Sequence, residues 1–111
     1  MEESMCYLRS APVNVVENSC LTFHFAILSS YSMSVVRVAT FNSNSYHTVG
    51  QWELQPFNYY ISAFVIYVNI SSGQYDGILI EVQSYSMINY NEPKAVDNIQ
   101  LFPGECTTGG M

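Results

Sequence analysis

The stretch Cys20-Leu21-Thr22-Phe23-His24-Phe25-Ala26-Ile27 decides how this chain is read. Leu21, Phe23, Phe25 and Ile27 occupy every second position, and Thr22, His24 and Ala26 lie between them. Successive side chains of an extended chain point to opposite faces, so this period of two gathers the large apolar groups on one face. The pattern predicts a half-buried β-strand.

The same signals recur on either side. Ser29-Ser30-Tyr31-Ser32 reads as a turn, and Ser34–Phe41, rich in Val, reads as a second strand. Asn42-Ser43-Asn44-Ser45 is a polar break with turn chemistry. Trp52 lies in a short segment ending at Pro56. Tyr59–Ile70 is the longest apolar run and reads as a central strand covered on both faces. A buried helix is the rival there, but the Ile, Val and Tyr content and the Ser71-Ser72-Gly73 break favour a strand. Gly77–Gln83 places Ile78, Ile80 and Val82 on one face and Glu81 and Gln83 on the other. Tyr85–Pro93 reads as a loop, Ala95–Phe102 as the last strand, and Thr107–Met111 as a tail or linker. Short strands between turn signals, with no convincing helix, predict an all-β, jelly-roll-like β-sandwich of two antiparallel sheets.

Composition narrows the function classes. The 111 residues suffice for one domain and one core. The formal charge is −6, with Arg9, Arg37 and Lys94 as the only basic side chains besides the two histidines. Nucleic-acid binding needs clustered cations to neutralise phosphates, so no nucleic-acid partner is expected. No apolar run approaches the roughly 18 residues of a membrane span. Met1-Glu2-Glu3-Ser4 is acidic and has no apolar h-region, so it does not read as a signal peptide; if the protein is extracellular, the chain is expected to be a segment of it or one whose leader is lost.

No catalytic constellation is evident. G-x-S-x-G and H-E-x-x-H are absent from the sequence, and Glu53, Asp76, Glu81 and Glu92 fall in separate segments. His24 and His47 read as structural residues. The three cysteines, Cys6, Cys20 and Cys106, include no C-x-x-C pair, which favours a long-range disulfide plus one leftover thiol over a zinc site. Asn69-Ile70-Ser71 is a glycosylation triplet that agrees with a secretory compartment, provided Asn69 points outward. Tyr59, Tyr60, Tyr85 and Tyr90 are candidates for a binding surface, either a protein hot spot or a sugar-stacking platform, with core or edge packing as their other use. Tyr67 is assigned to packing.

Four segments together resemble the MAM domain, the extracellular adhesion module of meprins, neuropilins and receptor-type tyrosine phosphatases. They are Leu8-Arg9-Ser10-Ala11-Pro12, Cys20-Leu21-Thr22-Phe23, Gly50-Gln51-Trp52, and the closing strand Ala95-Val96-Asp97-Asn98-Ile99-Gln100-Leu101 with Pro103-Gly104-Glu105-Cys106. The resemblance implies one module over residues 1–106, shortened at its N-terminus by a strand and a first cysteine pair. It implies a Cys20–Cys106 disulfide and leaves Cys6 outside the pattern. In jelly-roll relatives an acidic residue at the place of Asp97 often ligates a structural cation, calcium or sodium, for which Glu2, Glu3 or backbone carbonyls are the candidate co-ligands. A carboxylate that caps backbone N–H groups is the alternative role for Asp97, and no other cofactor is implied. The function it implies is non-catalytic adhesion or protein interaction, homophilic contact included, within a secreted or cell-surface protein. The alternative is a carbohydrate-binding jelly-roll module with exposed Tyr or Trp rings. A small enzyme is the third and weakest reading, because it would need converging titratable groups.

Overall fold

A computed structural model describes residues 2–28, 32–54, 61–86 and 94–106, with side chains described for 7–26, 34–53, 64–83 and 95–106. Among the described residues nine strands follow one another: β1 (Glu2–Arg9), β2 (Val13–Val15), β3 (Ser19–Leu28), β4 (Ser32–Asn42), β5 (Ser45–Leu54), β6 (Ile61–Ile70), β7 (Gly73–Tyr75), β8 (Gly77–Ser86) and β9 (Lys94–Pro103). They build a four-stranded sheet in the order β1-β8-β4-β5, a three-stranded sheet β6-β3-β9 and a small β2-β7 ribbon. Every pairing is antiparallel. The all-β sandwich of antiparallel sheets expected from the alternating pattern is therefore present. Its shortest dimension is 17 Å, the thickness of two stacked sheets.

The alternation in the sequence places the core. Leu21, Phe23 and Phe25 of β3 meet Val36 and Val38 of β4 and Ile78, Ile80 and Val82 of β8, while Ile66, Val68 and Ile70 of β6 complete the layer. Phe23 and Phe25 are wholly buried, and burying such a side chain contributes about 1.5–3 kcal/mol. Trp52 packs against this core from β5.

Asn42-Ser43-Asn44-Ser45 forms the two-residue hairpin between β4 and β5, with Asn42 facing Ser45. Ser43 takes the left-handed conformation that such a turn demands (φ 53°). Asp76 holds the turn from the bend before β8. Its carboxylate accepts from the Ser43 N–H, and its own N–H is shared by the Phe41 carbonyl and Asn42 Oδ1, each at 2.9 Å.

Three expectations need correction. Residues Ile61–Ile70 of the run read as a central strand are not covered on both faces, because β6 borders its sheet and pairs, among the described residues, with β3 alone. One face of β6 is buried, but Val65 and Tyr67 stand exposed on the other. Tyr85 is not in a loop, since its backbone belongs to β8 and faces both Glu3 and Met33. Residues 2–9, where no strand is expected before the Leu8–Pro12 segment, form a full edge strand that pairs with β8.

Candidate functional site

Cys20 opens β3, opposite Asn69 of β6 and Phe102 of β9. After Pro103 the chain reverses at Gly104, whose φ of 94° favours glycine. The reversal brings Cys106 back beside β3 and closes the Cys20–Cys106 disulfide. Three hydrogen bonds fix this end: Gly104 N–H to the Asn18 carbonyl (2.8 Å), Cys106 N–H to Asn69 Oδ1 (2.7 Å) and Ser72 N–H to Asn18 Oδ1 (2.9 Å). With Cys20 and Cys106 joined, Cys6 is the one cysteine outside the intrachain link.

Asn69 is exposed, whereas its neighbour Ile70 is fully buried. The triplet thus presents its asparagine outward, and the hydrogen bond from Cys106 engages the amide oxygen rather than the nitrogen that a glycan would occupy.

Asp97 lies on the exposed face of β9, opposite His24. The next residues form a bulge: Asn98 and Ile99 together oppose Phe23, and Asn98 adopts φ 57°. Asp97 Oδ1 accepts the Asn98 N–H at 2.7 Å, and Asn98 Nδ2 lies 3.4 Å from His24 Nε2. This is the local capping arrangement of a bulge. Glu2 and Glu3, considered as partners for a cation at Asp97, belong to a strand of the opposite sheet. Among the described residues no three His, Cys, Asp or Glu side chains gather as a metal site.

The other titratable groups are dispersed. His24 lies in the three-stranded sheet and His47 in the four-stranded one. Arg37 Nε donates to Glu81 Oε1 at 3.0 Å and Arg37 Nη1 to Thr48 Oγ1 at 3.2 Å, a cross-strand cluster on the four-stranded sheet.

Two surfaces stand out. The first is the outer face of the three-stranded sheet. Tyr67, assigned to packing from the sequence, is 41% exposed there, and Phe102 is 46% exposed on β9. They flank a shallow recess of about 550 Å³ together with Thr22, Glu105 and the disulfide. Of the tyrosines proposed for binding, Tyr59, Tyr60 and Tyr90 lie outside the described residues, as does the side chain of Tyr85.

The second surface was not anticipated. The four-stranded sheet extends to β1, but the three-stranded sheet beneath it ends at β9. An apolar cleft opens between them in two adjoining parts that share Leu8 and Ile80. One, about 420 Å³, is lined by Leu21, Ile78, Ile99 and Leu101, with Arg9 and Ser10 at its mouth. The other, about 320 Å³, lies against Tyr7, Phe25, Val82 and Val96. Ile99 and Leu8 on its rim are 46% and 47% exposed. Arg9 turns its guanidinium onto the ring of Phe41, 4.4 Å from the centroid. The sequence carried only a partial signal, apolar Ile99 and Leu101 on a strand that borders its sheet.

Among the described residues no helix is long and apolar enough to cross a membrane. No family model, curated protein or solved structure matches the chain.

Proposed function

We propose that this chain is a non-catalytic extracellular interaction module of a larger secreted or cell-surface protein, a shortened MAM-like domain with a jelly-roll-like fold. The observation that carries this reading is the apolar cleft between β1 and β9. Leu8, Ile99 and Leu101 on its rim are exposed in one place rather than scattered, and clustered apolar exposure marks contact sites for proteins. The Cys20–Cys106 disulfide agrees with an oxidising compartment, where such links persist. The outward-facing Asn69 triplet agrees with the same compartment. The MAM-like reading is supported by the likeness of the closing strand and its terminal cysteine to the MAM pattern.

The test is binding of a multivalent form of the domain to intact cells, compared with a Leu101→Asp variant whose fold is checked by circular dichroism. Saturable binding that the variant loses supports the module. Absence of binding by the wild type, or equal binding by the folded variant, overturns it.

A specific observation favours the carbohydrate reading as the second choice: Tyr67 and Phe102 are two exposed rings beside one recess with polar neighbours. A glycan array probed with wild type and Tyr67→Ala separates the two readings, since only sugar stacking makes Tyr67 essential.

A further inference from the structure

β1 differs from the other sheet borders. It pairs with β8 from Glu2 to Arg9 without a register shift and contains neither proline nor glycine. β9 is broken by the Asn98 bulge and ends in Pro103. β5 carries a bulge where Val49 has no facing residue on β4. β6 bears the exposed Asn69 triplet. Among the described residues β1 pairs with β8 alone, so its outer row of backbone donors and acceptors is a template for another strand.

We propose that β1 pairs antiparallel with β1 of a second copy, joining the two four-stranded sheets across a two-fold axis. The proposal rests on the interaction-module reading and names its partner. Symmetry restricts the register. Facing residues in an antiparallel pair alternate between hydrogen-bonded and non-hydrogen-bonded types. A two-fold axis relates the pairs on either side of it, and those must be of one type, so the axis passes between a residue and its own copy. A register with Met5 facing Cys6 is therefore forbidden, and with it any direct Glu2–Arg9 pairing. Centring on Met5 sets Glu3 against Tyr7, and centring on Tyr7 sets Arg9 against Met5. Only the register centred on Cys6 sets Arg9, the sole cation of β1, opposite a carboxylate, that of Glu3. Symmetry makes the pair twice.

Two consequences follow from that choice without having entered it. Cys6, the cysteine outside the intrachain disulfide, faces its own copy. Facing Cα atoms in antiparallel pairs are about 4.5–5.5 Å apart, within the span of a disulfide. In addition, an axis normal to the sheet leaves both three-stranded sheets on the same side. The two apolar clefts, each with Leu8 on its rim, then open toward one another. Arg9 stacks on Phe41 of β4, on the inner side of β1, so pairing with Glu3 of a second copy requires its guanidinium to swing from that ring to the outer edge.

Sedimentation equilibrium of the full chain, with Cys6→Ser to keep the association non-covalent, should give a monomer–dimer equilibrium. Arg9→Glu should raise the dimer dissociation constant by about tenfold or more, because two facing ion pairs become repulsive. Combining Arg9→Glu with Glu3→Arg should restore it, a rescue that loss of the Arg9–Phe41 contact would not allow. With Cys6 present, added oxidised glutathione should yield a covalent dimer. Two Cys6 thiols give up two electrons and two protons, and one glutathione disulfide leaves as two thiols. Peptide mapping should place the new bond at Cys6 with Cys20–Cys106 intact. A monomer at all concentrations, a failed charge-swap rescue, or cross-linking through other cysteines overturns the pairing. Such a monomer that still binds cells would leave the interaction module standing, so the two failures are distinguishable.

Discussion

Replacing Cys20 and Cys106 together by alanine opens a covalent loop whose ends are 86 positions apart in sequence. The cross-link acts mainly on the unfolded chain, and for a loop of this length the chain-entropy relation gives about 4–5 kcal/mol. The native side changes less. Cys20 is buried at the start of β3, but the hydrogen bonds from Gly104 to Asn18 and from Cys106 to Asn69 use backbone donors that survive the substitution. Domains of this size have a total stability of about 5–15 kcal/mol, so the variant should lose about a quarter or more of its margin. Urea unfolding followed by the fluorescence of Trp52, the only tryptophan and one that packs on the core, measures this directly. The midpoint should fall, and the denaturant slope should rise because the opened chain exposes more surface when unfolded. In a thermal scan the same loss corresponds to about 20 °C, from an unfolding entropy of about 2 cal/mol/K per residue. Wild type and variant must be compared at one protein concentration, since self-pairing adds its own stabilisation by mass action. A loss below about 1 kcal/mol would refute the argument that this link constrains the unfolded chain.

Other outcomes follow from single contacts. Gly77→Ala would place a methyl carbon 2.5 Å from Phe41 Cζ and 3.0 Å from the Ser10 carbonyl oxygen; it should cost about 1–3 kcal/mol in urea unfolding through overpacking. Arg37→Met and Glu81→Gln, analysed as a double-mutant cycle, should show a coupling of about 0.2–1 kcal/mol, the worth of a partly exposed cross-strand pair. Expressed through a secretory pathway, the chain should carry a glycan at Asn69, seen as a mass loss on enzymatic deglycosylation, and Ser71→Ala should abolish that loss without disturbing the Asn69–Cys106 contact.

The sequence was most legible where one face of a strand is buried and the other is not. The alternation from Leu21 to Phe25 reports that asymmetry, and β3 lies where it placed it; β8 also lies where expected, although Leu79 on its other face is as buried as Ile78. β6 misled for the opposite reason. Val65 and Tyr67 are as apolar as core residues but face outward, and composition does not distinguish an apolar side chain that is covered from one that is not. β1 escaped notice because Glu-Glu-Ser-Met-Cys has little strand propensity of its own; its pairing with β8 makes it a strand. The left-handed Asn98 was equally hidden, since a bulge depends on a register set by the neighbouring strand. Of the site residues, the Cys20–Cys106 link came from likeness to a family pattern, and the cleft could not be read because it depends on how far each sheet extends.

The disulfide also determines how the module would carry mechanical load. Tension applied beyond Cys106 passes through the sulfurs straight into Cys20, bypassing β9 and everything between. Strands β3 to β9 lie within a covalent bracket and cannot be drawn out. Among the described residues β1 and β2 precede Cys20, and residues 2–19 could be drawn out to a contour of about 60 Å at the reach of a fully extended chain. Under pull, β1 would peel from β8 and the rest would hold as a shackle, so the force at which the module yields is set by β1.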